Sequence, residues 1–236
     1  MDKILIVAAS SDLGKSYINF IKNDTVLIDV IVRNPSKLEN LEKFNNIYTF
    51  DLVELDLLSK LKLSSKYSQI IFFQGVDIIK PFNLYNINDI TKTFNINVIS
   101  IISLLNNLLS NKNITKAASI VIISSISGVS KGTPGHVLYS SSKAALLGLV
   151  KSLSLELSKR KIRINCISPG LIETESLFNK NNHILSDQQK IEYNKKYPLG
   201  IGDIHSINGT IKFLLGNDSS WITGQNFIVD GGNSNI

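Results

Sequence analysis

Short apolar runs rich in β-branched residues alternate along this chain with longer stretches whose apolar residues recur at helical intervals. No other feature constrains the fold as strongly. The runs fall at 3–8, 26–32, 46–50, 69–73, 119–124, 162–167 and 226–229, and 13–22, 36–43, 88–111, 138–159 and 204–215 carry the helical spacing between them. Strand-helix alternation of this kind predicts a parallel sheet with helices on both faces. Ile120-Val121-Ile122-Ile123 is apolar at consecutive positions, as expected of a strand buried on both sides. The 236 residues contain no repeat, no proline- or glycine-rich linker and no low-complexity block, so one domain is expected over 1–236. The rhythm breaks at 175–203, a segment rich in Asn, Lys and Gln with a short helical stretch near 186–196, which is expected to serve as a lid over a binding site.

Composition removes several function classes. A single cysteine, Cys166, forbids an internal disulfide, and its apolar neighbours predict a buried strand residue rather than a nucleophile. The net charge of +6 is spread over scattered lysines without aromatic interleaving, so no nucleic-acid partner is expected. The apolar run at 4–9 is too short for a signal peptide and reads as a first strand. No apolar stretch is expected to reach the roughly 18 residues of a membrane span, so a cytoplasmic protein is expected. No metal is expected.

Three places carry chemistry. The first strand opens into Ala8-Ala9-Ser10-Ser11-Asp12-Leu13-Gly14, a turn of small residues leading to a helix N-terminus, where backbone N–H groups and the helix dipole suit a dinucleotide pyrophosphate. Asp12 is positioned to cap that helix. The second strand ends in Val32-Arg33, with no carboxylate to take ribose hydroxyls; Asp29 lies earlier, inside the strand. An Arg here accommodates a 2′-phosphate, which favours NADP(H) and leaves NAD(H) open. Finally, Tyr139 and Lys143 stand four residues apart at the start of a long helix, so their side chains share one face. An ammonium beside a phenol favours the phenolate and is expected to lower the tyrosine pKa. Such a tyrosine exchanges protons with a carbonyl or alcohol oxygen. Alone, the same spacing also describes a tyrosine packed on a lysine stem.

In order along residues 3–232, these motifs resemble the short-chain dehydrogenase/reductase family. Val7 to Gly14 is similar to its T-G-x-x-x-G-x-G turn, and Asp51-Leu52 to its adenine-contacting pair. Asn97, Ser125, Tyr139 and Lys143 match its catalytic tetrad, and Ser168-Pro169-Gly170-Leu171-Ile172-Glu173-Thr174 its P-G-x-x-x-T segment beside the nicotinamide. Trp221-Ile222-Thr223-Gly224-Gln225 and Val229-Asp230-Gly231-Gly232 resemble its last strand. The resemblance implies a single Rossmann-type doubly wound domain with a seven-stranded parallel sheet, and hydride transfer between a nicotinamide and a carbonyl or alcohol. It implies Tyr139 as general acid or base, Lys143 as its partner and a ribose ligand, Ser125 as donor to the substrate oxygen, and Asn97 as holder of a water. Cofactor contacts are implied for Ala8, Ser10, Ser11, Asp12, Leu13, Gly14, Arg33, Asp51, Leu52, Gln74, Gly75, Tyr139, Lys143, Pro169, Gly170, Ile172 and Thr174. Ser125 is preferred over Ser124 and Ser127 because it stands three before Gly128, as in S-x-x-G.

The chain departs from the family at Ala8, where a glycine is usual, and at Phe72-Phe73-Gln74-Gly75, where N-N-A-G is usual. Gln74 is expected to reach toward the cofactor. The C-terminal half is closest in appearance to 3-oxoacyl-(acyl-carrier-protein) reductases, with Lys116, Arg160 and Lys161 as hints of an acidic carrier protein. A sugar, polyol or other small ketone is the alternative substrate, favoured by the polar Asn179, Asn181, Asn182 and His183 of the expected lid. A non-catalytic nucleotide-sensing protein is the alternative from another class. Family members are mostly tetramers or dimers, and a homotetramer or homodimer is expected here. Val98, Ile101, Ile102, Leu105 and Leu109 form an apolar stripe that either joins subunits or faces its own sheet.

Overall fold

The computed structural model describes residues 2–174 and 187–235. Each apolar run becomes a strand: β1 (Lys3–Val7), β2 (Leu27–Val32), β3 (Asn46–Thr49), β4 (Tyr67–Phe72), β5 (Ile114–Ile123), β6 (Arg163–Pro169) and β7 (Asn226–Val229). Every pairing is parallel, and the order is β3-β2-β1-β4-β5-β6-β7. The winding therefore reverses between β1 and β4, which opens a crevice beyond their C-terminal ends. Among the described residues, the α-helices are α1 (Asp12–Phe20), α2 (Leu55–Leu58), α3 (Ile87–Phe94), α4 (Ser100–Ser110), α5 (Val137–Leu157), α6 (Asp187–Lys195) and α7 (Asn208–Leu215).

Consecutive strand residues enter opposite cores, which is why the runs lack polar alternation. Leu5, Val7, Phe72, Ile120 and Ile122 pack with Leu104 of α4 and Leu146 and Val150 of α5. Ile4, Ile6, Ile71 and Val121 pack on the other face with Tyr17 of α1 and Ile211 and Leu214 of α7. Each fully buried Ile or Leu contributes about 1.5–3 kcal/mol relative to exposure. Phe72 and Phe73, standing where the family has asparagines, go to these two cores in turn; Phe73 lies 6.1 Å from the Tyr17 ring. Asp29, the one carboxylate inside a strand among the described residues, is fully buried and accepts from Asn45 (2.7 Å), Asn46 (3.1 Å) and the Tyr67 hydroxyl (2.8 Å). These donors replace the water that burial removes.

Three expectations need correction. Residues 36–43 form two 3₁₀ turns, Pro35–Lys37 and Leu41–Lys43, instead of a helix. Asn40 between them has φ 53°, a left-handed conformation that a helix cannot continue through. Strand β5 begins five residues early, because the pairing shifts register after Tyr67 and Ala117 takes φ 60°, which hides the polar first part from an apolar-run search. The run Ile87–Ser110 is, against expectation, long and apolar enough to span a membrane by length and composition. In the fold it lies on the sheet with Ile101, Leu104, Leu105 and Leu108 buried. Its apolar stripe is mostly this same packing surface: Val98, Ile101 and Leu105 are buried and Leu109 leans on the core, while Ile102 is exposed. The expected lid falls partly outside the described residues, since 175–186, with Asn179, Asn181, Asn182 and His183, are not among them.

Candidate active site

α5 starts immediately after a turn that ends at His136, which places Tyr139 in its first turn and Lys143 one turn deeper. Lys143 is buried, at 3% exposure. Its ammonium donates to the carbonyls of Ile123 (2.8 Å), the last residue of β5, and Gln74 (3.2 Å), two residues beyond β4, and lies 5.8 Å from the centre of the Tyr139 ring. Two serines at the end of β5 divide the work. Ser124 donates its hydroxyl to the Lys143 carbonyl (2.9 Å) and is buried. Ser125 accepts the Ser127 N–H (3.2 Å) and shares a side-chain hydrogen bond with Tyr139. Ser125, as the S-x-x-G spacing predicts, is thus the serine beside the phenol. The glycine of that spacing has a steric reason: a Cβ on Gly128 would stand 2.6 Å from the Ala144 nitrogen of α5.

Asn97 sits in a π-helical turn, Asn95–Ile99, that joins α3 to α4. Its side-chain amide donates to the Val76 carbonyl and to the Ser142 hydroxyl, both at 2.9 Å, and its oxygen accepts the Val76 N–H at 2.8 Å. Asn97 thereby fixes the segment that follows β4 against α5. The fold brings Asn97, Ser125, Tyr139 and Lys143 to one corner beyond the C-terminal ends of β4 and β5.

Electrostatics in this corner differ from the expectation drawn from spacing alone. Burial pushes the Tyr139 hydroxyl up to about 12; the Ser125 hydrogen bond pulls it down and the Asp77 charge pushes it further up. Burial lowers Lys143 to about 8, partly offset by Cys166 and Asp77. The expected depression of the tyrosine is corrected: burial dominates, and the lysine hydrogens are directed at two carbonyls rather than at the phenol. Burial also pushes the fully buried Cys166 thiol up to about 12, so it stays protonated near neutrality and is no nucleophile.

The expected dinucleotide residues line up along the same edge. Ser11, not Asp12, caps α1: its hydroxyl accepts the Gly14 N–H at 3.1 Å. Asp12 instead occupies the first turn and lies 3.5 Å from Lys15. Gly14 touches the turn, since a Cβ there would come within 2.7 Å of the Ala9 carbonyl. Ala8 holds φ 56°, a left-handed conformation natural for the glycine it replaces. Ser10 and Leu13 are half-buried in this turn. Arg33 is exposed just past β2, and Asp51 and Leu52 follow β3, where the Asp51 carboxylate accepts the Val53 N–H (3.2 Å). Gln74 turns away from the crevice: its amide donates to Ser100 (3.2 Å), and its buried side-chain oxygen has no hydrogen-bond partner. Gly75 lies against Lys143. Pro169 ends β6, Gly170 bonds to Val229 (3.0 Å), and Ile172 pairs with Gly202 through its neighbours Leu171 and Glu173. Thr174 closes this segment.

Lys116, Arg160 and Lys161 lie elsewhere. Lys116 is near the start of β5, Arg160 donates to the Ile114 carbonyl, and Lys161 precedes β6. All three mark the N-terminal ends of strands, opposite the tetrad, so they do not flank its entrance. A cavity of about 920 Å³ opens beside α1, where the expected helix over 36–43 is replaced by turns. It is lined by Asp12 and Thr174 but by none of the tetrad. Sequence reasoning also missed Ser142, which anchors Asn97, and the pair Asp77–His136 (2.7 Å), whose imidazole meets the Tyr139 ring edge-on at 6.5 Å. The separation of 59 positions along the chain between Asp77 and His136 erases any local pattern.

A family model described as enoyl-(acyl carrier protein) reductase matches residues 71–234. A 3-oxoacyl-[acyl-carrier-protein] reductase of Chlamydia muridarum is 43% identical over 118 residues, which cover 50% of this chain and 45% of that protein. The chain thus spans about half the length of such relatives in their best-matching stretches. The reductase of the same name from Buchnera aphidicola is 30% identical over 232 residues, covering 97% of this chain and 85% of that one. Among solved structures, ElxO with NADP bound shares the fold with a TM-score of 0.85 at 23% identity, covering 100% of this chain and 99% of that one. With the tetrad assembled in this fold and the family model matching most of the chain, the protein belongs to the short-chain dehydrogenase/reductase family.

Proposed function

We propose that this protein is an NADP(H)-dependent oxidoreductase that interconverts a carbonyl and an alcohol. The observation that carries the reading is the meeting of Ser125, Tyr139 and Lys143 beyond β4 and β5, with a helix-capping turn at the neighbouring switch point. The residues present fit a dinucleotide. Gly14 permits the tight turn, and the α1 N-terminus faces the crevice. Ser10, Ser11, Leu13 and Gly14 would hold the pyrophosphate, Asp51 and Leu52 the adenine, Arg33 the 2′-phosphate, and Ile172 and Thr174 the carboxamide end. When bound, NADPH supplies the hydride.

The chain's own residues manage the proton. Tyr139, held protonated by burial, gives its O–H proton to the carbonyl oxygen as negative charge grows there. Ser125 donates a hydrogen bond to the same oxygen and stabilises that charge. Lys143, lowered to about 8, sits in proton exchange near neutral pH one helical turn away. The Asn97 side chain is committed to Val76 and Ser142, so a water held there would take its main-chain carbonyl. The substrate is a small carbonyl compound, and a 3-oxoacyl thioester on an acyl carrier protein is the form the named relatives suggest. The position of Lys116, Arg160 and Lys161 at the far end of the sheet favours a second reading, a free ketone such as a sugar or polyol derivative. Exposed Leu155 on α5 and Ile102 on α4 fit assembly into a homodimer or homotetramer.

Fluorescence titration with NADPH and NADH tests the cofactor, and a panel of 3-oxoacyl thioesters and hydroxyketones tests the substrate. NADPH is expected to bind more tightly, with Arg33→Ala losing about tenfold for NADPH and little for NADH, the scale of one charge-assisted phosphate contact. Failure to bind either nucleotide contradicts the reading.

A further inference from the structure

Asp77 and His136 belong to no part of the tetrad, yet they stand at its edge. Asp77 lies two residues beyond Gly75, which touches Lys143, and His136 immediately precedes α5. The Asp77 carboxylate meets His136 Nδ1 at 2.7 Å. The loops carrying them are laced together: Lys80 N–H donates to the Gly135 carbonyl (3.1 Å), and the Tyr85 hydroxyl reaches the carbonyls of Ile78 (2.8 Å) and Gly135 (2.5 Å). The carboxylate is therefore fixed relative to α5 rather than carried on a loose loop. Among the described residues, the other titratable groups around these loops are Tyr139 and Lys143 on α5, Cys166 on β6, Tyr85, and Lys80 paired with Asp89 (2.7 Å).

We propose that Asp77, anchored by His136, is a positioning residue that keeps protons on the Tyr139–Lys143 pair, so that the site is loaded as a proton donor for carbonyl reduction. The proposal rests on the carbonyl-reducing reading above. A fixed negative charge near both groups disfavours the phenolate and favours the ammonium. It acts in the same sense on both, raising Tyr139 and Lys143 together. Burial raises Asp77 itself and is the largest influence on it, while His136 and Lys143 oppose that rise. Acidification therefore removes the charge, and with it the hold on the pair.

The test is a side-chain NMR titration of lysine-labelled protein without nucleotide, with Lys143→Met identifying the Lys143 resonance. In Asp77→Asn, which keeps a hydrogen-bond acceptor for His136, the Lys143 midpoint is expected to fall by about half to one pH unit. Asp77→Glu retains the charge and is expected to keep the midpoint close to that of the native protein. The alkaline fall of carbonyl-reduction kcat/KM is expected to move down with Asp77→Asn by a similar amount. A midpoint in Asp77→Asn that is unchanged or raised overturns the proposal. Should no carbonyl be reduced while the midpoint still falls, the proton-holding role stands and the substrate reading falls.

Discussion

Lys143 occupies a position that folding alone would not choose. An ammonium with 3% exposure, opposed by burial and satisfied by two neutral carbonyls, costs stability that a methionine of similar length would not. Lys143→Met is therefore expected to raise stability at pH 7 by about 1–3 kcal/mol while removing activity. The sign with pH follows from a folded-state value of about 8, below the unfolded value. Below about 8 the folded protein carries the full penalty; from there to the unfolded value the native chain folds with a neutral lysine, and the penalty disappears. Chemical denaturation at pH 7 and at pH 10 checks this: the advantage of the variant should shrink at the higher pH. Burial favours the neutral form of Tyr139 as well, but for a phenol that form is the protonated one, so its pKa moves up where that of Lys143 moves down.

At the scale of elements, the β1–α1 turn carries a backbone cost. Ala8 adopts φ 56° where the family places glycine. A left-handed alanine costs roughly 1–2 kcal/mol, partly offset in a glycine variant by the greater freedom of its unfolded chain. Ala8→Gly is expected to stabilise the protein by about 0.5–1 kcal/mol, read as a higher Tm in thermal unfolding. An unchanged or lower Tm would show that the turn carries no strain. The strands were legible because both cores demand consecutive apolar residues, as in Ile4 to Val7. The connection over 36–43 was not, since Asn40 leaves no mark in apolar spacing. The helix cap was misassigned because Ser11 and Asp12 are both good caps and only geometry separates them.

At the scale of the molecule, the order of Asn97, Ser125, Tyr139 and Lys143 along the chain was legible, and the fold brings the four to one corner because Ser125 follows β5 while Tyr139 and Lys143 open α5. Their electrostatics were not legible, because burial depends on the surrounding β4, β5 and β6 rather than on the four-residue spacing. Asp77 and His136 were invisible for a related reason: distant loops bring them together. The same geometry corrects the basic residues. Strand direction puts Lys116, Arg160 and Lys161 at the end of the sheet away from Tyr139, a fact that no count of lysines reveals.

The central claim is that Tyr139 delivers the proton in a dinucleotide-dependent carbonyl reduction. Paired measurement of NADPH affinity and of ketone-dependent NADPH oxidation in the native protein and in Tyr139→Phe tests it most directly. Loss of the phenol O–H should lower turnover by about 10²–10⁴-fold with NADPH affinity unchanged. Retained turnover in Tyr139→Phe would contradict the account.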